Sequence, residues 1–208
     1  MRCRMNQSNS RADQAKSEMR RRQVLDAAAE CFRREGFHGT SIARISRAAG
    51  MSAGHIYHYF ENKEAIVEAI AAREQVDMAD LVEKLAQDVD GGDLVARLCR
   101  HTAEKVERNR DPAVTGLMLE LAAEAARNPA IARILQRSNR MISDRLVELV
   151  QRLGALPDLR SEEIHMRITM IGAMMQGLAM RSILEPRENQ DLAVNLLNRV
   201  IATLLEDT

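Results

Sequence analysis

Nowhere in this chain do apolar and polar residues alternate as a half-buried strand requires. From Ser17 onward the apolar residues recur at three- and four-residue intervals, and all four prolines fall between such runs. Pro112 and Pro129 each follow a capping side chain, Asp111 and Asn128, which suits a first helical turn because the N–H that proline lacks has no partner there. Pro157 and Pro186 come just after apolar runs and stop them. With Gly36 and Gly91-Gly92 as further breaks, the pattern predicts helices at about 17–35, 41–48, 52–59, 62–88, 93–109, 112–126, 129–154, 162–184 and 190–206. The expected fold is all-α, with nine helices and no internal repeat.

Over 208 residues, enough for one good core or two modest ones, the formal net charge is zero, which taken whole argues against a nucleic-acid partner. The charge is unevenly placed, however. Residues 1–64 carry 12 Lys and Arg against 7 Asp and Glu, whereas residues 65–208 carry 18 against 23. A basic module that approaches phosphates, followed by an acidic remainder that does not, accounts for this. Residues 1–17 are polar, basic and without periodicity, and are expected to form a disordered arm. No stretch is long and apolar enough to span a bilayer, and the N-terminus has charge without the apolar core of a secretion signal, so a cytoplasmic protein is expected. The three cysteines, Cys3, Cys31 and Cys99, form no CxxC pair and suggest neither a disulfide framework nor a zinc site. An enzyme would need a nucleophile or an acid–base pair on a cleft, yet the chain has no GxSxG, HExxH, phosphate loop or dinucleotide fingerprint, and no cofactor is expected.

Residues 48–60, AAGMSAGHIYHYF, hold three of the five aromatic residues and two of the five histidines. Thr40 and Ser41 open a short helix whose Ile42, Ile45, Ser46 and Ala49 face inward; Gly50 ends it and Ser52 caps the next. Two short helices joined by a tight glycine turn, behind a longer amphipathic helix, make a helix-turn-helix pattern. In the second short helix Ile56 and Phe60 face the core, leaving His55, Tyr57, His58 and Tyr59 for the other side, with at least one tyrosine outward. Gly54 costs roughly 1 kcal/mol relative to alanine and allows another surface to approach closely. Phenols and imidazoles supply hydrogen bonds and flat apolar faces, suited to phosphates and to base edges. His55 and His58 have no Cys or acidic partner at ligand spacing, so a metal site is not expected.

The segment 18–78 resembles the TetR family of transcriptional regulators. The resemblance rests on RRQVLDAA at 21–28, Phe32, Gly36-Phe37, Thr40-Ser41, Ile45, AGMS at 49–52, Gly54, Ile56-Tyr57, Tyr59-Phe60 and Lys63. Met51 and Ser46 are mild departures. Residues 119–129, LELAAEAARNP, are similar to a stretch common in the betaine-repressor-like branch. The resemblance implies a DNA-binding domain over 18–78, its helix-turn-helix at about 41–60, and a ligand-binding and dimerisation domain over 79–208. It further implies that Thr40, Tyr57, Tyr59 and Lys63 hold phosphates while Ala53, Gly54, His55 and His58 meet base edges. Lys63 also opens a long helix, where backbone N–H groups favour an anion. Arg44 and Arg47 could add phosphate contacts or be ordinary solvated charges.

The two last helices carry more apolar surface than one protomer's core needs. On the helix at 162–184, Ile164, Ile168, Ile171, Met175 and Leu178 form one stripe, and Met166, Met170, Ala173, Met174 and Gly177 another. The last helix adds Leu192, Leu196, Leu197, Val200, Ile201, Leu204 and Leu205. A four-helix interface between two chains is expected, with Ile168, Met175, Leu196, Leu197, Val200 and Leu204 in it. Seven of the 12 methionines lie between Met118 and Met180, and no aromatic residue follows Phe60. An interior of that kind suits an aliphatic or amphipathic effector, lined by Met118, Leu121, Met141, Met170 and Met174. Glu120, Glu124 and His101 fall within or beside apolar stripes and would hold a polar or cationic end of that effector, unless Arg127, Arg145 or Arg167 pairs with them. The expected protein is a homodimeric repressor on a palindromic DNA operator, released by its ligand; a DNA-binding protein or activator without an effector is the alternative.

Overall fold

The computed structural model describes residues 2–87, 95–100, 106, 111–154, 156–186 and 189–205. Among these residues all regular structure is helical: α1 (Arg2–Gly39), α2 (Ile42–Ala49), α3 (Ala53–Tyr59), α4 (Lys63–Gln87), α5 (described over 95–100), α6 (Pro112–Ala125), α7 (Pro129–Arg152), α8 (Ser161–Leu184) and α9 (Gln190–Leu205). The caps lie where the sequence puts them. Asp111 and Asn128 accept hydrogen bonds from backbone N–H groups ahead of Pro112 and Pro129, and Gly50 ends α2 in the left-handed conformation. Asn62 caps α4 through Ala65 N–H. No described helix is long and apolar enough to cross a membrane.

Helix α1 departs from expectation at its start and breaks where expected at its end. It continues back to Arg2, where an unstructured arm is expected; residues 2–16 contain neither proline nor glycine to stop it. At its other end Gly36, at φ 75° and ψ 164°, breaks the helical path, and Phe37 turns back into the core.

Two apolar clusters form the interior. The first joins Val24, Leu25, Ala28 and Phe32 of α1 to Ile45, Ile56, Phe60, Ile66 and Val67, and also takes in Leu121 of α6 and Ile131 of α7. Cys31 lies within it, and burial pushes its thiol above the ordinary value, which keeps it an unreactive core residue. The second cluster gathers Leu85, Leu149, Val150, Ile164, Ile168, Leu197, Ile201 and Leu205. Helices α4 and α7 pack along each other and contribute to both clusters, so they form the spine that connects them. The first core therefore crosses the boundary expected at residues 78–79.

Candidate nucleic-acid interface

Side chains fix the turn between α2 and α3 from several directions. Ser41 Oγ accepts from Arg44 N–H and Ser52 Oγ from His55 N–H, so each short helix has an N-cap. Ser46, buried inside α2, donates its hydroxyl to Met51 O at 2.9 Å across the turn, and Gln23 Nε2 of α1 donates to Ala49 O at 2.8 Å. The sequence marks Ser46 as inward-facing and as a departure from the family pattern, without naming its partner. Its bond to the turn is the physical use of that hydroxyl.

Helix α3 turns Ile56 into the core and leaves Gly54, His55, Tyr57 and His58 exposed, with Tyr57 56% accessible; Ala53 is half-buried. Tyr59 is half-buried against the first core. Its ring stacks on His55 at 5.5 Å between centroids and meets His58 edge-on at 5.0 Å, so the two imidazoles are held around one phenol. A Cβ added at Gly54 would meet nothing within 4 Å, so nothing in this chain requires glycine there. Arg21 of α1, within the sequence's arginine triplet, lies 5.2 Å from the Phe60 ring centre and brings a further cation to this end of the molecule. Arg47 is exposed.

Three residues expected at phosphates make bonds within the chain. Thr40 is 1% exposed, and its hydroxyl donates to Gly36 O at 2.8 Å, closing the break in α1 rather than facing outward. Arg44 Nε is 2.7 Å from Glu35 Oε1, an ion pair between α1 and α2. Lys63 Nζ donates to Phe37 O at 2.6 Å and lies over the Phe37 ring at 4.3 Å. Burial there pushes its ammonium below the ordinary value, opposed by Glu64 and Glu124.

The residues expected around an effector lie in different surroundings. Leu121 belongs to the first cluster and Met174 to the second; Met118 is half-buried, Met141 and Met170 are exposed, and His101 lies outside the described residues. Glu120 Oε1 accepts from Phe37 N–H at 2.8 Å. Glu124, 0% exposed, meets His38 Nε2 at 3.0 Å, Arg127 Nε at 2.9 Å and Asn128 Nδ2 at 3.0 Å. Burial pushes the Glu124 carboxyl up, but the Asn128 hydrogen bond and the charges of His38 and Arg127 outweigh it and hold it below the usual carboxylate value. Arg145 and Arg167 instead donate to Gln75 O and Leu204 O. Both carboxylates face inward as expected, and both are taken by their own chain.

The residues expected in a dimer interface divide between core and surface, Leu196 and Val200 being exposed. Ile168 and Leu197 are buried in the second cluster, with Met175 half-buried against it, and Arg167 binds the Leu204 carbonyl. Met166, Met170, Ala173, Gly177, Met180, Ile183 and Leu184 of α8, and Leu192, Leu196 and Val200 of α9, are exposed small and apolar residues. Periodicity identifies two stripes on α8 but cannot say which meets the core.

Residues 24–70 match the bacterial regulatory proteins of the tetR family, and residues 93–206 match the C-terminal domain of BetI-type transcriptional repressors. The chain is 28% identical over 186 residues to the transcriptional regulator BetI of Escherichia coli K12, covering 89% of this chain and 93% of that protein. It is 26% identical over 152 residues to UidR of the same strain, covering 71% and 75%. Among solved structures, Salmonella enterica GusR superposes with a TM-score of 0.73 at 28% identity, covering 89% of this chain and 95% of that one.

Proposed function

This chain belongs to the TetR family and is a helix-turn-helix transcriptional regulator, and we propose that it is a ligand-released repressor binding a near-palindromic operator as a homodimer. The observation that carries the reading is α3, capped by Ser52, whose exposed face presents Gly54, His55, Tyr57 and His58. On DNA, His55 and His58 read base edges, Ala53 and Gly54 permit the close approach, and the Tyr57 hydroxyl holds a phosphate. Tyr59 orients the imidazoles. Thr40 and Lys63 act by positioning the break in α1, and Arg47 is the exposed cation of α2 that can reach phosphate.

A second copy covers the exposed stripe of Met166, Met170, Ala173, Leu192, Leu196 and Val200, because so continuous an apolar face is costly in water. The effector is a small aliphatic or amphipathic molecule, since no aromatic residue follows Phe60 to cage a quaternary ammonium or stack on a flat ring. Its polar end is held by groups other than Glu120 and Glu124. It relieves repression by favouring the conformation whose reading helices no longer match the operator.

Selection of binding sites from random duplexes tests the reading. The expected product is a pair of inverted half-sites with centres about one helical turn, or a multiple of it, apart, with affinity falling steeply as salt rises. Equal binding to unselected DNA, with no recurring motif, rules it out.

A further inference from the structure

We propose that Glu120 and Glu124 clamp the end of α1 and thereby set the separation of the two reading helices in the dimer, deciding which half-site spacing the protein accepts. The proposal rests on the dimeric reading above.

The break at Gly36 leaves Phe37 with backbone groups outside the regular helix, and side chains from two other helices take both of them. Its N–H goes to Glu120 of α6 and its carbonyl accepts from Lys63 of α4. One residue later, His38 meets Glu124. Glu120 and Glu124 are one helical turn apart and so share a face of α6. A single contact would be a pivot; two neighbouring contacts resist rotation as well as translation.

The clamp sits at the root of the reading head. Thr40 N–H and Oγ1 both bond to Gly36 O, and Ser41 immediately caps α2, so the direction of the chain at residues 36–38 is carried directly into α2 and α3. On the other side, α6 packs against α7 and α8, and α8 carries the surface assigned to the second copy. Leu121 and Ile131 already attract α6 and α7 to the first core, but apolar contact is non-directional. Directional hydrogen bonds at Phe37 and His38 supply the orientation. A side chain at Gly36 would press on this contact: an added Cβ would lie 3.2 Å from Glu120 Oε1.

The test uses the full-length dimer and a duplex library with two fixed inverted half-sites and a spacer varied in single base-pair steps. Wild type should enrich one spacing. Glu120→Ala should spread enrichment over neighbouring spacings, lowering discrimination by about 3- to 30-fold, while the motif within each half-site stays unchanged. Glu120→Gln keeps an acceptor for Phe37 N–H and should restore the single spacing. His38→Ala, at an exposed side chain, tests the second arm in a variant whose folding is not at stake and should broaden the spacing in the same sense. If wild type selects no paired half-sites, the dimeric reading fails and the clamp with it. Paired half-sites at wild type together with unchanged spacing in Glu120→Ala and His38→Ala overturn the clamp alone.

Discussion

Tyr57 and His55 lie two residues apart on α3, both exposed, and their substitutions should separate. Tyr57→Phe removes one hydroxyl and no charge; it should weaken all duplexes by about 1 kcal/mol and leave the salt dependence unchanged, because a neutral phenol displaces no counterion. His55→Ala should instead alter sequence preference by about 1–3 kcal/mol at a lost base contact. Competition binding across single-base variants at two salt concentrations reads both effects. Glu124 makes a different kind of prediction. Its carboxyl is held below the ordinary glutamate value of 4.5, so the folded state gains stability from its charge above that value and loses it as pH falls through the depressed one. Denaturant unfolding should show wild type well above Glu124→Gln at pH 7, with the gap closing as acid protonates the wild-type carboxyl. A constant gap would mean that Glu124 does not titrate in this way. An inward glutamate was legible in the sequence from its place in an apolar stripe. Its partner Arg127, three residues on, was a candidate as well; its partner His38 was not, since it lies on another helix far away in the chain.

At the scale of helices, sequence and structure agree wherever the signal is local. Serine, aspartate and asparagine caps, prolines at first turns and Gly50 at the end of α2 each act through neighbours within four residues, so no knowledge of the fold is needed to read them. The break in α1 belongs to the same class. At φ 75° and ψ 164° Gly36 occupies backbone that other residues rarely adopt, and Gly36→Ala should destabilise the protein by about 1–3 kcal/mol while pressing on Glu120. Calorimetric or denaturant unfolding measures the loss. Its restoration by a second substitution at Glu120 would show that the contact, and not the backbone alone, contributes. The start of α1 is not legible in the same way: polar composition argues for disorder, whereas helix continuation needs only residues that do not oppose it.

For the whole molecule, the distinction between core and partner surface lies between adjacent residues. Leu197 is 5% exposed and Leu196 50%, although both belong to the same apolar run. Leu197→Glu should unfold or loosen the second cluster at a cost of about 3 kcal/mol or more, because a buried charge has no partner there. Leu196→Glu should leave the fold nearly intact and separate the dimer, lowering operator affinity towards that of a single half-site. Sedimentation and thermal unfolding of the two variants distinguish these outcomes. A Leu196→Glu protein that stays dimeric places the second copy elsewhere.

The sequence by itself determined the helical class, the order and ends of most helices, and the outward chemistry of α3, because each is written in periodicities and caps spanning a few residues. Tertiary structure alone decided which α8 stripe is core and which is surface, and it alone brought Thr40, Lys63, Glu120 and Glu124 into bonds around residues 36–38. A repeating pattern defines the faces of a helix but not which partner each face meets. The bonds that settle it here join residues 26 positions apart for Lys63 and Phe37, and 83 apart for Glu120 and Phe37, and they exist only once α4 and α6 have packed against α1.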